Sequence, residues 1–225
     1  MNEKLDFDQV GVIFGETKVF FSASFMMRTI TGLCVRESGP LERFPARDSN
    51  MDAYLAIVSK REVRDYLAEP IRPEEMNQIL EAGRASGSAR NRQPWRFIVL
   101  TDRERLRELS AFVARPSNLV QCAAAIAIVL TDPRWQFDTG RAAQNMMLAA
   151  WALGIGSCPN TAHDEAPAKS ALKVPAEAGI ATIISLGYPA AGAPRPRPGA
   201  KPDEVLARID RLPLADLVFR ELFRS

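Results

Sequence analysis

The stretch PEEMNQILEAGRASGSARNRQPWRFIVL (Pro73–Leu100) sets the terms for the whole chain. Its first half predicts a helix: Pro73 suits the first turn, where a missing N–H costs nothing. Met76, Ile79, Leu80 and Gly83 then fall on one helical face. SGSARNRQPW (Ser86–Trp95) is a polar loop ending at a proline, and RFIVL (Arg96–Leu100) reads as a buried strand. The same alternation continues on both sides. MDAYLAIVSK (Met51–Lys60) predicts a helix, DRERLRELSAFVA (Asp102–Ala114) an exposed helix, and CAAAIAIVL (Cys122–Leu130) a second buried strand. RAAQNMMLAAWALG (Arg141–Gly154) is a helix apolar almost all round, with Gly154 as its C-cap, so it belongs inside the fold or in a subunit interface. A short helix near Pro167–Lys173 and a third buried strand, Ala181–Pro189, follow. Strands interleaved with helices indicate an α/β (α+β) protein built on a mixed sheet.

Residues 1–50 differ from the rest. They are rich in Phe, Thr, Ser and Gly, lack a clear period, and end in GPLERFPARDSN (Gly39–Asn50), which reads as a linker. They are expected to form a poorly structured N-terminal extension, with Met51 as the natural start; the alternative is a short β-hairpin. Residues 51–225 form the main domain. AAGAPRPRPGAKPDE (Ala190–Glu204) is a Pro-rich loop.

Composition narrows the function classes. The net charge of +2 on 225 residues gives no basis for nucleic-acid binding. Three widely spaced cysteines, Cys34, Cys122 and Cys158, fit a reducing cytoplasm better than a disulfide scaffold. Val19–Met27, bounded by Lys18 and Arg28, is too short to span a bilayer, and no signal-peptide pattern opens the chain. No GxGxxG, GxxxxGK[ST] or GxSxG occurs. The single histidine, His163, excludes a multi-histidine metal site and disfavours hydrolase chemistry.

Two clusters carry chemistry. SKREVRDY (Ser59–Tyr66) holds Lys60, Arg61 and Arg64, which could converge on one phosphate or simply form a solvated basic helix end. Ser86–Trp95 holds small hydroxyls, Asn91 and Gln93. Their paired donors and acceptors suit a flavin pyrimidine edge; equally, they could cap local backbone.

In that order and spacing, the two clusters resemble the paired signature of the nitroreductase family, Ser-Arg-Arg-Ser-Val-Arg and Ser-Ser-x-Asn-x-Gln-Pro-Trp. Gly140–Cys158, Ser185–Pro189 and Arg211–Leu222 are similar to later family segments, so the likeness runs from about Met51 to the C-terminus. The resemblance implies a three-layer fold with a central mixed, mainly antiparallel sheet flanked by helices, and a homodimer with FMN at the interface, each site built from both chains. It implies NAD(P)H as co-substrate, with hydride passing through flavin N5 to a nitroaromatic, quinone or similar acceptor by ping-pong kinetics. A non-catalytic FMN storage or sensor protein, or a flavin-fragmenting or dehalogenating member, is the alternative.

Carried over by position, Lys60, Arg61, Glu62 and Arg64 would lie along the FMN phosphate and ribityl chain. Ser88 and Asn91 would contact the flavin, and Gln93 would shape the loop. Pro159–His163, including Thr161 and Ala162, would cover the isoalloxazine with a backbone N–H near N5. Arg211 would close on the phosphate, assisted by Arg208, in preference to Arg195 and Arg197. His163 is a possible proton donor; Trp95 is a packing residue. Three departures stand out. Glu62 replaces a small hydroxyl and should turn away, toward Arg61 or Arg64; Ala89 replaces a serine; and the loop 190–210 is unusually long.

Overall fold

The structure, a computed structural model, describes residues 9–14, 17–22 and 51–223. The chain divides into two compact units, Met1–Ala46 and Arg47–Ser225. In the first, β1 (Gln9–Phe14) and β2 (Thr17–Ser22) pair antiparallel, in register from Gln9 with Ser22 to Phe14 with Thr17. The described part of the extension is thus a β-hairpin. The Gly39–Ala46 part of the expected linker, and its continuation to Asn50, lie outside the described residues.

The second unit contains α1 (Ala53–Ser59), α2 (Pro73–Arg84), β3 (Trp95–Leu100), α3 (Arg103–Ser110), α4 (Pro116–Gln121), β4 (Ala124–Leu130), α5 (Gln136–Ala152), β5 (Gly156–Asn160), α6 (Glu165–Leu172), β6 (Gly179–Gly187), α7 (Pro202–Leu206) and α8 (Leu214–Leu217). Strand order is β3-β4-β6-β5, all antiparallel. Among the described residues one parallel bridge, Glu62 with Ser157, adds the mixed element at the β5 edge.

Three layers follow from side-chain alternation. On one face Ile126, Ile128, Ile184 and Leu186 pack with Ile79 of α2 and Ala142, Met146 and Ala150 of α5. On the other, Ala125, Ala127 and Ile183 meet Leu106 and Leu109 of α3, Leu119 of α4 and Ala168 of α6. Every residue of β4 is buried, because helices cover both faces. Each fully buried Ile or Leu contributes about 1.5–3 kcal/mol.

The local signals act as expected. Pro73 opens α2, and Glu74 and Glu75 occupy its first turn. Asp52 and Asp102 cap α1 and α3 with their side chains. Gly154 sits at φ 81° past the end of α5, and the Ile155 N–H closes back on the Ala150 carbonyl at 2.8 Å. That turn sends the chain directly into β5, a strand the sequence reading did not assign. α5 also begins earlier than Arg141, at Gln136, and buries only part of its surface: Phe137, Arg141, Gln144 and Asn145 are exposed.

Candidate functional site

Ser59–Tyr66 leaves α1 and runs extended along the sheet edge. Glu62 bridges Ser157, the Val63 N–H donates to the Ser157 carbonyl at 3.1 Å, and Tyr66 bridges Pro189. This approach needs glycine beneath it. Gly156 and Gly187 are register partners on β5 and β6. A Cβ on Gly156 would fall 2.6 Å from the Val63 Cβ, and one on Gly187 would fall 2.8 Å from the Tyr66 Cδ1. The glycines of the GIGSC and SLGYP segments therefore form a floor for the basic segment.

Extension makes the side chains alternate. Lys60, Glu62 and Arg64 share one direction. The buried Lys60 ammonium pairs with Glu62 at 2.6 Å and lies 3.7 Å from the Met147 sulfur of α5. Glu62 thus turns to Lys60, not to Arg61 or Arg64; a two-residue step on extended backbone returns it to the Lys60 side. Burial pushes the Cys158 thiol pKa up, while the charges of Arg64, Glu62 and Lys60 all bear on it. Next to them Ser157 is fully buried and its hydroxyl has no partner.

Arg61 points elsewhere. It donates to the Val58 and Lys60 carbonyls, both at 2.9 Å, and lines a cavity of ≈ 260 Å³ with Ser59, Arg195, Arg197, Glu204 and Arg208. Arg208 thus joins Arg61, whereas Arg211 does not line this cavity. Arg211 is exposed and donates to the Asp210 carbonyl at 2.7 Å.

The second cluster is a tight turn. Arg90, Asn91 and Gln93 all have φ near +50°, in the left-handed region where asparagine is tolerated best. The turn is held by the Ala89 N–H on Asp138 at 2.9 Å and the Gln93 N–H on the Ser88 hydroxyl at 2.9 Å. Asn91 and Gln93 are exposed, and their amides pair at 3.2 Å. Asn145 donates to Ser86 at 2.7 Å. Trp95 is 4% exposed and belongs to the core.

Thr161–His163 extends past β5 and pairs with Phe112–Ala114. The Ala114 N–H donates to the Thr161 carbonyl at 3.3 Å, and the His163 N–H donates to the Phe112 carbonyl at 3.0 Å. These bonds flank the Val113–Ala162 pair, so the Ala162 N–H points to the opposite side. His163 is exposed. Behind this segment sits a buried polar network the sequence reading missed. Asn160 accepts from Asn118 at 2.7 Å and donates to the Cys158 and Ile183 carbonyls, and Ser185 joins Tyr66 at 3.0 Å. Its members are far apart in sequence, so no local pattern marks them. Among the described residues no group of three His, Cys, Asp or Glu could hold a metal ion, and no helix is long and apolar enough to cross a membrane.

One chain thus offers cations at Ser59–Tyr66, amides at the Ser88–Gln93 turn and a backbone N–H at Ala162, each on a different element. A relative from Archaeoglobus fulgidus, provisionally named NADH dehydrogenase/NAD(P)H nitroreductase, is 34% identical over 145 residues, covering 59% of this chain and 83% of its own. The NADPH-flavin oxidoreductase of Vibrio harveyi is 26% identical over 153 residues, 59% of this chain and 64% of that protein. The structure of an FMN-dependent nitroreductase from Clostridium difficile R20291 superposes with TM-score 0.63 at 24% identity, over 76% of this chain and 99% of the other, a likeness of fold. The nitroreductase family model matches residues 57–128 and 131–188, and the chain belongs to that family.

Proposed function

We propose that this nitroreductase-family enzyme is an NAD(P)H-dependent oxidoreductase that holds FMN and passes hydride through it to a nitroaromatic, quinone or similar acceptor. The observation that carries the reading is the Lys60–Glu62–Arg64 face, fixed on the Gly156–Gly187 floor beside the unpartnered Ser157 hydroxyl. Two cations suit a phosphate. The Asn91 and Gln93 amides suit a pyrimidine edge.

Bound FMN supplies the redox chemistry, and the protein supplies placement and electrostatics. Lys60 would exchange its Glu62 partner for the phosphate group. The turn at Ser88–Gln93, with φ already set by Asp138 and Ser88, offers amide groups without reorganisation. The Ala162 N–H, turned away from Phe112–Ala114, is a backbone donor that the Pro159–His163 segment offers, and the exposed His163 follows it as a proton source. NAD(P)H and acceptor use one space in turn, which gives ping-pong kinetics. Cys122 and Cys158 are free buried thiols, in keeping with a reducing cytoplasm.

Helix geometry supports a site shared between two chains. Ser59 and Lys60 meet α5 at Trp151 and Met147, whereas the Ser86–Ala89 loop meets it at Asn145 and Asp138. At about 100° per residue these stripes face nearly opposite ways. One chain therefore turns its two clusters apart, and a homodimer brings the cluster of one protomer to that of its partner.

Purified protein should be yellow with flavin absorbance and should oxidise NAD(P)H in the presence of a quinone or nitroaromatic. A colourless protein that ignores added FMN defeats the reading.

A further inference from the structure

The chain changes partner at the end of β5. Up to Asn160 it pairs with β6, in register with Ile183. Beyond that point the Asn160 carbonyl accepts from the Thr182 hydroxyl at 3.2 Å, and Thr161–His163 crosses to Phe112–Ala114. The Ala162 N–H takes its direction from this crossing. Two ties hold it: the Val113–Ala162 bridge, and a side-chain bond from Asn118 of α4 to Asn160. Since α4 follows Phe112–Ala114 closely, Asn118 carries the position of that connection over to β5.

The orientation of Asn160 is forced. Its amide nitrogen lies 3.0 Å from both the Cys158 and the Ile183 carbonyl oxygens and 3.3 Å from Ser185 Oγ. Carbonyl oxygens only accept, so the nitrogen must face them. The amide oxygen is left for Asn118, which donates to it at 2.7 Å. Both asparagines are buried. A buried amide pair carries a desolvation cost that an apolar pair of the same shape avoids; what it adds is a fixed direction. The contacts continue to the basic segment. Ser185 Oγ donates to the Cys158 carbonyl at 3.1 Å and lies 3.0 Å from Tyr66 Oη, and Tyr66 donates to the Val63 carbonyl, between Glu62 and Arg64. One network thus touches the backbone of the Lys60–Arg64 segment and that of the Thr161–His163 edge.

We propose that Asn118 and Asn160 are positioning residues for hydride transfer: their bond fixes the crossing after β5 and so aims the Ala162 N–H at the flavin. The proposal rests on the flavin reading. Its test uses the full chain, Asn118→Leu and the double variant Asn118→Leu/Asn160→Leu. The single change leaves the Asn160 oxygen without its donor; the double change replaces both partners by apolar groups of similar size and should keep more of the stability. Val174→Ala, a core truncation beyond α6, is the control for lost stability alone.

Two readouts are needed. Before flavin is added, amide exchange followed by NMR should show the Ala114 and His163 N–H groups, which hold the crossing, exchanging about tenfold or more faster in both Asn118 variants, with α5 unchanged. After FMN is added, a dye-equilibrated titration should find the midpoint potential of the bound flavin shifted in both variants and unmoved in Val174→Ala. Faster exchange with an unmoved potential makes the pair structural only and overturns the positioning role. Exchange as in the parent, or an equal potential shift in Val174→Ala, overturns it as well. A chain that takes up no FMN defeats the flavin reading, and the proposal falls with it; a flavin-loaded parent whose variants match it defeats the proposal alone.

Discussion

At the scale of single residues, the most informative departure is Glu62. In the described chain its carboxylate already occupies Lys60, so any phosphate that uses Lys60 must compete with it. Glu62→Ser removes the competitor and restores a hydroxyl, and it should tighten FMN binding by about 1–2 kcal/mol, within the range of a charged hydrogen bond. Fluorescence titration of the apoprotein reads this directly, and weaker binding would show that Glu62 orders the site instead of obstructing it. The cysteines give a second residue-level test. Burial pushes the Cys122 thiol up to about 11 and raises Cys158 as well. Since the thiolate is the reactive form, neither should be alkylated in the folded chain at pH 8, and both should react once urea unfolds it; peptide mapping by mass spectrometry distinguishes the two. The residues of the Ser59–Arg64 and Ser88–Gln93 clusters were legible as types in the sequence. What was not legible was direction: that Lys60 and Arg61 diverge depends on the extended backbone after Ser59, and local propensity does not encode a bridge to Ser157.

At the scale of elements, the sheet and the long helices could be read because β4 is a continuous apolar run and α2 has clear spacing and caps. β5 was obscured, since GSCPN contains a glycine, a proline and polar residues, and it becomes a strand only through pairing with β6. Its glycine is there for the neighbouring segment. Gly156→Ala should push Val63 off the floor, costing about 1–3 kcal/mol and lowering the melting temperature by roughly 2–12 °C, with FMN affinity falling in step. A melt and titration unchanged from the parent would remove the close approach from the account. The contact between α2 and the end of β6 has a pH signature. Burial pulls the Glu75 carboxyl up, but hydrogen bonds from Arg72 and Tyr188 together hold it below the usual carboxylate range. A depressed carboxylate contributes stability above its unfolded pKa and loses it as pH falls through the folded one. Tyr188→Phe should therefore cost about 1–3 kcal/mol at pH 7 and progressively less below pH 4.5. Urea unfolding at both pH values checks the narrowing gap.

At the scale of the whole molecule, the proposed homodimer would cover apolar side chains that one chain leaves in water. Leu214 is 74% exposed, Leu222 71% and Phe223 79%, and Phe137 on the outward stripe of α5 is equally open. Large exposed apolar side chains are what an interface would cover, and the opposed clusters on α5 say what the proposed dimer would assemble. If Lys60 of one protomer and Asn91 of its partner complete one site, then Lys60→Ala and Asn91→Gly homodimers each lack a competent site in a different way. Glycine at 91 keeps the positive φ while deleting the amide. Unfolded together and refolded, the two variants would form mixed dimers in which one site carries both lesions and the other carries none. Random pairing then restores roughly one site in four across the mixture. Flavin bound per chain after gel filtration measures that fraction. Were each site contained within a single chain, every site in the mixture would carry one lesion, and mixing would restore nothing.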